Sequence, residues 1–491
     1  MKKIKGTPLR VSGSALVAIS LGMFASSGVA LADGGGGASG LLVSALLILS
    51  IGTIMFGASS VSDRADTPVA LASVAWSWLA VSIAGALPFL MTGSIPWAHF
   101  DDALFESISG FTCTGSTIFS DIEAVPRGVL FFRSMIQWFG GMGLIVLAVA
   151  VLPALKIGGL ELIANEAPGP TADRLTPKVT DTARRLWLLY GGITLAMIAA
   201  LMVVGLSPYD AATHAFTTVA TGGFSPYNAS IAHFDSLLVE FIIIAGMIFC
   251  GANFSLHWYA FKNGPKAYHR VSELRWYLGL IVGSTFILIW LNFGNLSLGR
   301  NIRESFFYTV SLGTSTGFGT SDFTIWAPAA QVVLLTLMIV GGMTGSTAGG
   351  MKILRLQILV RYSFREIVRA RHPKAVVPIR MGAVSIDEQI AAKAVGFILL
   401  YMGLIVLGGL TLAGLGVEPV TAFSGAVSAI GNAGPGLGEA GPVSDFLVFP
   451  RLGRVIIMFL MMFGRLEVFP MMLMFVAFAR AVSRSRHTIR Q

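Results

Sequence analysis

Four short turns rich in small residues stand out for what their backbones would offer a cation. They are Thr112-Cys113-Thr114-Gly115-Ser116, Ala220-Thr221-Gly222-Gly223-Phe224, Ser315-Thr316-Gly317-Phe318-Gly319 and Asn432-Ala433-Gly434-Pro435-Gly436. With Gly115, Gly222, Gly317 and Gly434 taken as equivalent, the turns recur at intervals of 107, 95 and 117 residues. Glycine reaches positive φ without a Cβ penalty, so neighbouring carbonyls can be aimed to one side. Carbonyls from four turns around one axis would replace the water shell of a monovalent cation. One such turn is ordinary packing. Four, each at the same place in a repeating pattern, read as a four-unit array around a pore.

Two further features belong to the same reading. The stretch 341–350 (GGMTGSTAGG) is too glycine-rich to hold a helix, at a cost of roughly 1 kcal/mol per glycine relative to alanine. Unwound chain, or a kinked and closely packed helix, is expected there. Arg465 stands ten residues into an apolar run that starts near Val455, roughly 15 Å deep, where an unpaired charge is costly. Glu467 is two positions away and on another helix face, so loop carbonyls at 341–350 are the better partners. A structural role at helix ends is the alternative.

The elements that must carry these turns follow from composition. The chain has 491 residues, 54% hydrophobic and 12% charged, with a mean hydropathy of +0.76. Half the usual charged fraction over this length excludes an ordinary soluble enzyme and leaves a multi-pass membrane protein. Spanning segments are expected near 11–31, 41–60, 69–91, 128–152, 185–206, 234–261, 276–293, 328–360, 392–415 and 452–479. Between them, 101–111, 208–219, 302–313 and 419–430 are roughly 18 Å as helices, too short for ~30 Å of hydrocarbon. They are external amphipathic helices or re-entrant half-helices. Asp101 and Asp102, Ser207-Pro208, Asn301 with Glu304, and Glu418-Pro419 are their expected start signals.

The net charge of +9 is topology. Basic residues fill the N-terminus, 156–185, 262–275, 352–393 and the tail 480–490, while the intervening loops are acidic. That is the positive-inside pattern, with both termini cytoplasmic and no nucleic acid required. Residues 1–32 fit either a retained helix, which is preferred, or a cleaved secretory signal. Cys113 and Cys250 are isolated, so no disulfide or cysteine metal site is expected. His99, His214, His233 and His257 show no zinc spacing or serine–histidine pairing, which argues against an enzyme. The G-x-G at 434–436 lies in the fourth turn and follows no strand, so no organic cofactor is expected in this chain. A secondary transporter remains a rival class, although midplane acids for ion coupling are lacking.

Longer motifs then make a resemblance specific: FESISGFTCTGST at 105–117, WFGGMGLIVLAVAVLP at 138–153, TVATGGFS at 218–225, GGMTGSTAGGMKILR at 341–355, NAGPGLG at 432–438 and MFGRLEVF at 462–469. The chain resembles the TrkH/KtrB superfamily of potassium uptake proteins over nearly its whole length, and its extra N-terminal pair of spans resembles the TrkH family. The resemblance implies an all-α integral membrane protein, with two N-terminal helices at 1–65 and four helix–pore-loop–helix repeats at 66–160, 161–270, 271–385 and 386–491 around one central pore. It implies K+ held at Cys113-Thr114, Ala220-Thr221, Ser315-Thr316 and Asn432-Ala433, with Gly115, Gly222, Gly317 and Gly434 as the filter glycines. Glycine at all four positions points to potassium over sodium. It further implies an intramembrane gate made of Gly345, Ser346, Thr347, Gly349, Gly350 and Arg465, and Ala348 departs from a family glycine. A homodimer in the bacterial inner membrane, controlled by a cytosolic TrkA-type ring that binds NAD or ATP, completes the expectation. The basic loops 153–185, 262–275 and 352–393 would dock that ring or lie against lipid. Cys113 replaces the threonine usual in the family, and its thiol is expected to be reachable from outside.

Overall fold

The computed structural model describes residues 4–5, 7–60, 67–150, 179–381, 384–467 and 471. The basic stretch 153–178 and the basic tail lie outside these residues, as do most of 468–479. Helices α1 (Thr7–Ala32) and α2 (Ala38–Ala58) form an antiparallel pair, packed closely where Gly13 meets the backbone of Gly52. α1 also packs on α3 (Thr67–Met91) and on α5 (Arg127–Ala150), with Ser12 bonded to Ser77 at 3.1 Å. The pair therefore stands to one side, against the first repeat.

Each repeat is a long helix, a short one, a turn and a second long segment. The short helices are α4 (Phe100–Phe111), α7 (Pro208–Val219), α11 (Leu298–Gly313) and α15 (Pro419–Gly431). The segments before the last three are α6 (Val179–Val203), α10 (Ser272–Leu291) and α14 (Glu388–Gly414). Those after them are α8 (Leu237–Cys250) with α9 (Phe254–Asn263), α12 (Pro328–Val340) with α13 (Ile353–Arg371), and α16 (Arg451–Leu466). Four packings close the array: α5 lies on α7, α8 on α11, α12 on α15, and α16 returns to α4. Every repeat thus leans its second segment on the next repeat's short helix, and the last leans on the first.

By length and composition α1, α2, α6, α10 and α14 can each cross a membrane, and the α8–α9 pair is a sixth. That pair departs from the single span expected at 234–261. It bends by 94°, because the chain leaves helix at 251–253 and Asn253 restarts it by accepting from Leu256 N–H (3.0 Å). The segment 328–360 is likewise divided, with non-helical chain between Val340 and Ile353.

The short helices begin partly as expected. Ser207 accepts from Asp210 N–H (3.1 Å) ahead of Pro208, and Glu418 accepts from Thr421 N–H (2.9 Å) ahead of Pro419. The other two starts need correction. Asp101 and Asp102 sit inside the first turn of α4 and pair with Arg454, with Arg454 Nη2 2.9 Å from Asp102 Oδ1. α11 starts a turn early, so Asn301 is internal and bonds to Ile289 O (2.9 Å), while Glu304 takes Arg300 at 2.6 Å. Asp101, Asp102 and Asn301 are committed to tertiary partners, which local spacing does not reveal, and Glu304 to Arg300 one turn back on its own helix. A small hairpin, Ile379–Met381 against Val384–Ile386, packs with α13 and α14 around Ile358 and Met381.

Candidate ion pathway

All four short helices end in the same way. The N–H of Cys113 bonds to Gly110 O and that of Thr114 to Ser109 O, at 3.0 and 2.9 Å. Equivalent pairs close on Thr221 and Gly222, on Ser315 and Thr316, and on Asn432 and Ala433. This is the Schellman cap, and its left-handed residue is normally glycine. Here the residues with φ near 50° are Cys113, Thr221, Ser315 and Asn432. Each non-glycine residue so placed costs roughly 1–2 kcal/mol, a strain repeated four times at one level of the molecule.

Two residues beyond each left-handed cap comes a glycine with positive φ: Gly115 (85°), Gly223 (76°), Gly317 (83°) and Gly434 (94°). The second turn is therefore one residue out of step with the register assumed from the sequence. Gly223, not Gly222, matches the other three glycines, and the residue pair aligned with Cys113-Thr114 is Thr221-Gly222. Ala220 sits one place earlier, at the helical C-cap of α7 beside Thr112 in the alignment. The adjacent glycines Gly222 and Gly223 made the two registers indistinguishable on composition.

The four glycines face one another in cyclic order. A Cβ on Gly115 would collide with the carbonyl oxygen of Gly222, on Gly223 with that of Thr316, and on Gly317 with that of Ala433. On Gly434 it would come within 2.9 Å of the carbonyl oxygen of Thr114. Only backbone without side chains fits this circle. Gly115, Gly223, Gly317 and Gly434 also line one outward-opening cavity of about 70 Å³, enough for about two waters. Four carbonyl oxygens, those of Thr114, Gly222, Thr316 and Ala433, thus each meet a neighbouring turn's glycine in a closed circle beside a small vestibule. The half-helices aim the negative ends of their dipoles at the same place. Such a ring can strip and hold a monovalent cation.

At the rim, Asn228 Nδ2 donates to Asp121 Oδ1 (2.9 Å) and holds that carboxyl below its ordinary range. The mouth keeps this negative charge into acid, which favours cations. Behind the first and second turns lies a buried ion pair, Arg133 Nε to Glu106 Oε1 at 2.5 Å, with side chains 2% and 0% exposed. Glu106 also accepts from Ile118 N–H (3.0 Å), and Arg133 donates to Ser225 O (3.0 Å) and covers the Phe224 ring at 3.5 Å. Glu106→Gln should leave the arginine charge uncompensated and destabilise the fold by about 3–5 kcal/mol. Glu106→Gln with Arg133→Met should recover part of that loss. Thermal unfolding of the two purified variants measures both effects, and equal melting temperatures for single, double and unsubstituted protein would contradict it.

Beneath the ring, the chain at 341–352 touches the second, third and fourth repeats, and Arg465 links it to the first. Thr347 Oγ1 donates to Val219 O (3.0 Å), Gly349 N–H donates to Ser315 Oγ (2.5 Å), and Gly349 lies so near Gly431 O that no Cβ fits. Arg465 Nη1 donates to Thr347 O (2.7 Å), and its Nη2 lies 2.9 Å from Cys113 Sγ. The loop is fixed at its edges as well. Gly345 O accepts from Phe254 N–H (3.0 Å), Ser346 Oγ donates to Met343 O (2.6 Å), Glu273 accepts from Thr344 N–H (2.7 Å), and Gly350 packs on Gly341. Lys352 donates to Ala348 O from a left-handed backbone, and Glu467 pairs with Arg355 at 2.7 Å. Arg465 is thus bonded to a loop carbonyl, and Glu467 is engaged elsewhere.

The Cys113 thiol departs from expectation. It is fully buried and donates to Gln137 O (3.2 Å), with Arg465 on its other side. A left-handed cap turns this side chain toward Gln137 and Arg465, and it is not among the residues that line the vestibule.

A profile of the TrkH family, described as a cation transport protein, matches residues 44–482. The chain belongs to the TrkH family. It is 38% identical over 403 residues to the Trk system potassium uptake protein TrkH of Halomonas elongata, covering 81% of this chain and 83% of the relative. Against the Escherichia coli protein of the same name it is 38% identical over 404 residues, with the same coverage. The crystal structure of the potassium transporter TrkH from Vibrio parahaemolyticus superposes with a TM-score of 0.87 at 33% identity, over 95% of this chain and 97% of that one. This TrkH-family chain also uses residues that the sequence reading passed over: Glu106, Arg133, Gln137, Ser315 through its side chain, Gly223 and Lys352. A signal existed for two of them. Arg133 and Gln137 are polar, four residues apart on one face of a spanning helix, where buried polar groups are seldom idle.

Proposed function

We propose that this chain is the potassium-selective uptake subunit of a bacterial Trk-type system in the inner membrane, with both termini cytoplasmic. The closed circle of Thr114, Gly222, Thr316 and Ala433 carbonyls carries this reading, because four unequal segments have no packing reason to aim backbone oxygen at one axis. K+ is the cargo. It binds between this ring and the carbonyls of the left-handed caps, Cys113, Thr221, Ser315 and Asn432. The gate is the loop at Gly345, Ser346, Thr347, Gly349 and Gly350, clamped by Arg465. Its contacts with the second, third and fourth repeats, and its link through Arg465 to the first, support the role.

The names of the relatives support potassium as the cargo. Control comes from a cytosolic TrkA-type ring that binds NAD or ATP and docks on a homodimer of this chain at the basic loops 153–185, 262–275 and 352–393. Exposed Phe364 and Ile367 on α13, next to its basic end at Arg369 and Arg371, support that docking face.

Expression in a bacterium lacking potassium uptake should restore growth at limiting K+. Purified chain in proteoliposomes should admit K+ in preference to Na+, with and without an imposed proton gradient. Failure to restore growth together with equal K+ and Na+ flux would overturn the proposal.

A further inference from the structure

Three of the four ascending limbs are braced from within their own repeat. Ser109 Oγ donates to Ser116 O (2.6 Å), Ser311 Oγ to Phe318 O (2.8 Å) and Ser428 Oγ to Gly434 O (2.7 Å). Thr217 occupies the same place in α7, yet its hydroxyl turns back to Thr213 O and His214 O, at 3.1 and 3.3 Å. The second limb is held from the first repeat instead. Gln137 on α5 is fully buried, its Nε2 donates to Gly222 O (2.6 Å), and its Oε1 accepts from Phe224 N–H (3.1 Å). These partners fix the amide orientation, since the reverse would set oxygen against oxygen and nitrogen against N–H.

The clamp falls on the weakest point of the ring. At the other three positions the residue before the glycine is Thr114, Thr316 or Ala433, but here it is Gly222. A peptide flanked by glycine on both sides meets the least steric resistance to rotation of its plane. Rotation of the Gly222–Gly223 peptide would swing one ring oxygen off the axis and point an N–H toward a bound cation. Gln137 holds the carbonyl on one side of this unit and the next free N–H on the other. Among the described residues, Gly222 O is the ring carbonyl that carries a donor.

From this geometry we infer that Gln137 is a positioning residue, which locks the Gly222–Gly223 peptide with its oxygen on the axis and so sets the cation selectivity of the ring. The inference rests on the potassium-uptake reading and names a determinant of it. It acts through Gly222, not by touching the ion.

The test uses full-length protein in proteoliposomes, with K+ uptake measured against competing Na+. Gln137→Met keeps the volume and loses both hydrogen bonds. Gln137→Glu keeps an acceptor for Phe224 N–H but loses the donor to Gly222. Each should lower K+ preference over Na+ by about tenfold and raise the apparent KM for K+, in line with loss of the hydrogen bond to Gly222 O that the two variants share. A methyl at Gly222 would occupy the space of the Gln137 carboxamide, and Gly222 has no positive φ. Gln137→Ala with Gly222→Ala should therefore regain preference that Gln137→Ala alone loses, because alanine stiffens the same peptide. An unchanged K+/Na+ ratio in folded Gln137→Met and Gln137→Glu would overturn the inference, as would an equal fall in the flux of both ions. Absence of K+ preference in the unsubstituted protein would instead defeat the uptake reading itself.

Discussion

Gly223→Ala should abolish selective K+ uptake, with a loss of at least about a hundredfold, while Gly222→Ala should cost only about tenfold. Two physical terms act at Gly223. Its φ of 76° costs an L-residue roughly 1–2 kcal/mol, and the added Cβ would collide with the Thr316 carbonyl oxygen, a member of the ring. Neither atom can retreat without opening the circle, because Thr316 N–H is tied to Ser311 O within the cap of α11. At Gly222 the methyl would meet only the carboxamide of Gln137, the movable end of a side chain. The comparison therefore reads out the register of the second turn. K+ uptake into proteoliposomes, with melting temperature as a control for folding, decides it. A harmless Gly223→Ala beside an inactive Gly222→Ala would restore the register first assumed from the sequence.

Arg465→Ala should raise K+ flux about ten- to a hundredfold. The guanidinium is 1% exposed and joins the loop to the first turn, through Thr347 O and Cys113 Sγ. Hydrogen bonds from a charged group contribute about 1.5–3 kcal/mol, and their loss biases the loop toward leaving its place beneath the ring. Removal of the charge also lowers the electrostatic barrier to a cation directly below the proposed K+ site. Arg465→Lys should fall between, since a single ammonium cannot reach both partners in the fork geometry of the guanidinium. Ion flux at fixed protein density, with K+/Na+ preference recorded in parallel, checks this. Flux equal to that of the unsubstituted protein would show that Arg465 only packs the end of α16.

Gly115, Gly317 and Gly434 were found from spacing alone because positive φ and missing Cβ are properties that composition advertises. The break at 341–352 was legible for the same reason. Arg465 was legible through cost, since a charge so deep in an apolar run must find carbonyls. The buried position of Cys113 was not. Its orientation follows from a left-handed cap, and the strain of holding cysteine there is offset by the cap's backbone bonds and by contacts with Gln137 and Arg465. The Asn301–Glu304 signal misled in the opposite direction. Its spacing satisfies a capping rule, but both side chains are spent on contacts with Ile289 and Arg300.

Membrane class, the number of glycine-rich turns and the site of the unwound segment are local matters. They depend on hydropathy, helix length and glycine content within windows of a few turns, and no folding is needed to read them. The alignment of the second turn, the grip of Gln137 across repeats and the partners of Arg465 exist only once distant quarters of the chain close into a ring. Two adjacent glycines permit either alignment in isolation. Only the Thr316 carbonyl, 94 residues from Gly222 along the chain, leaves room for one of them.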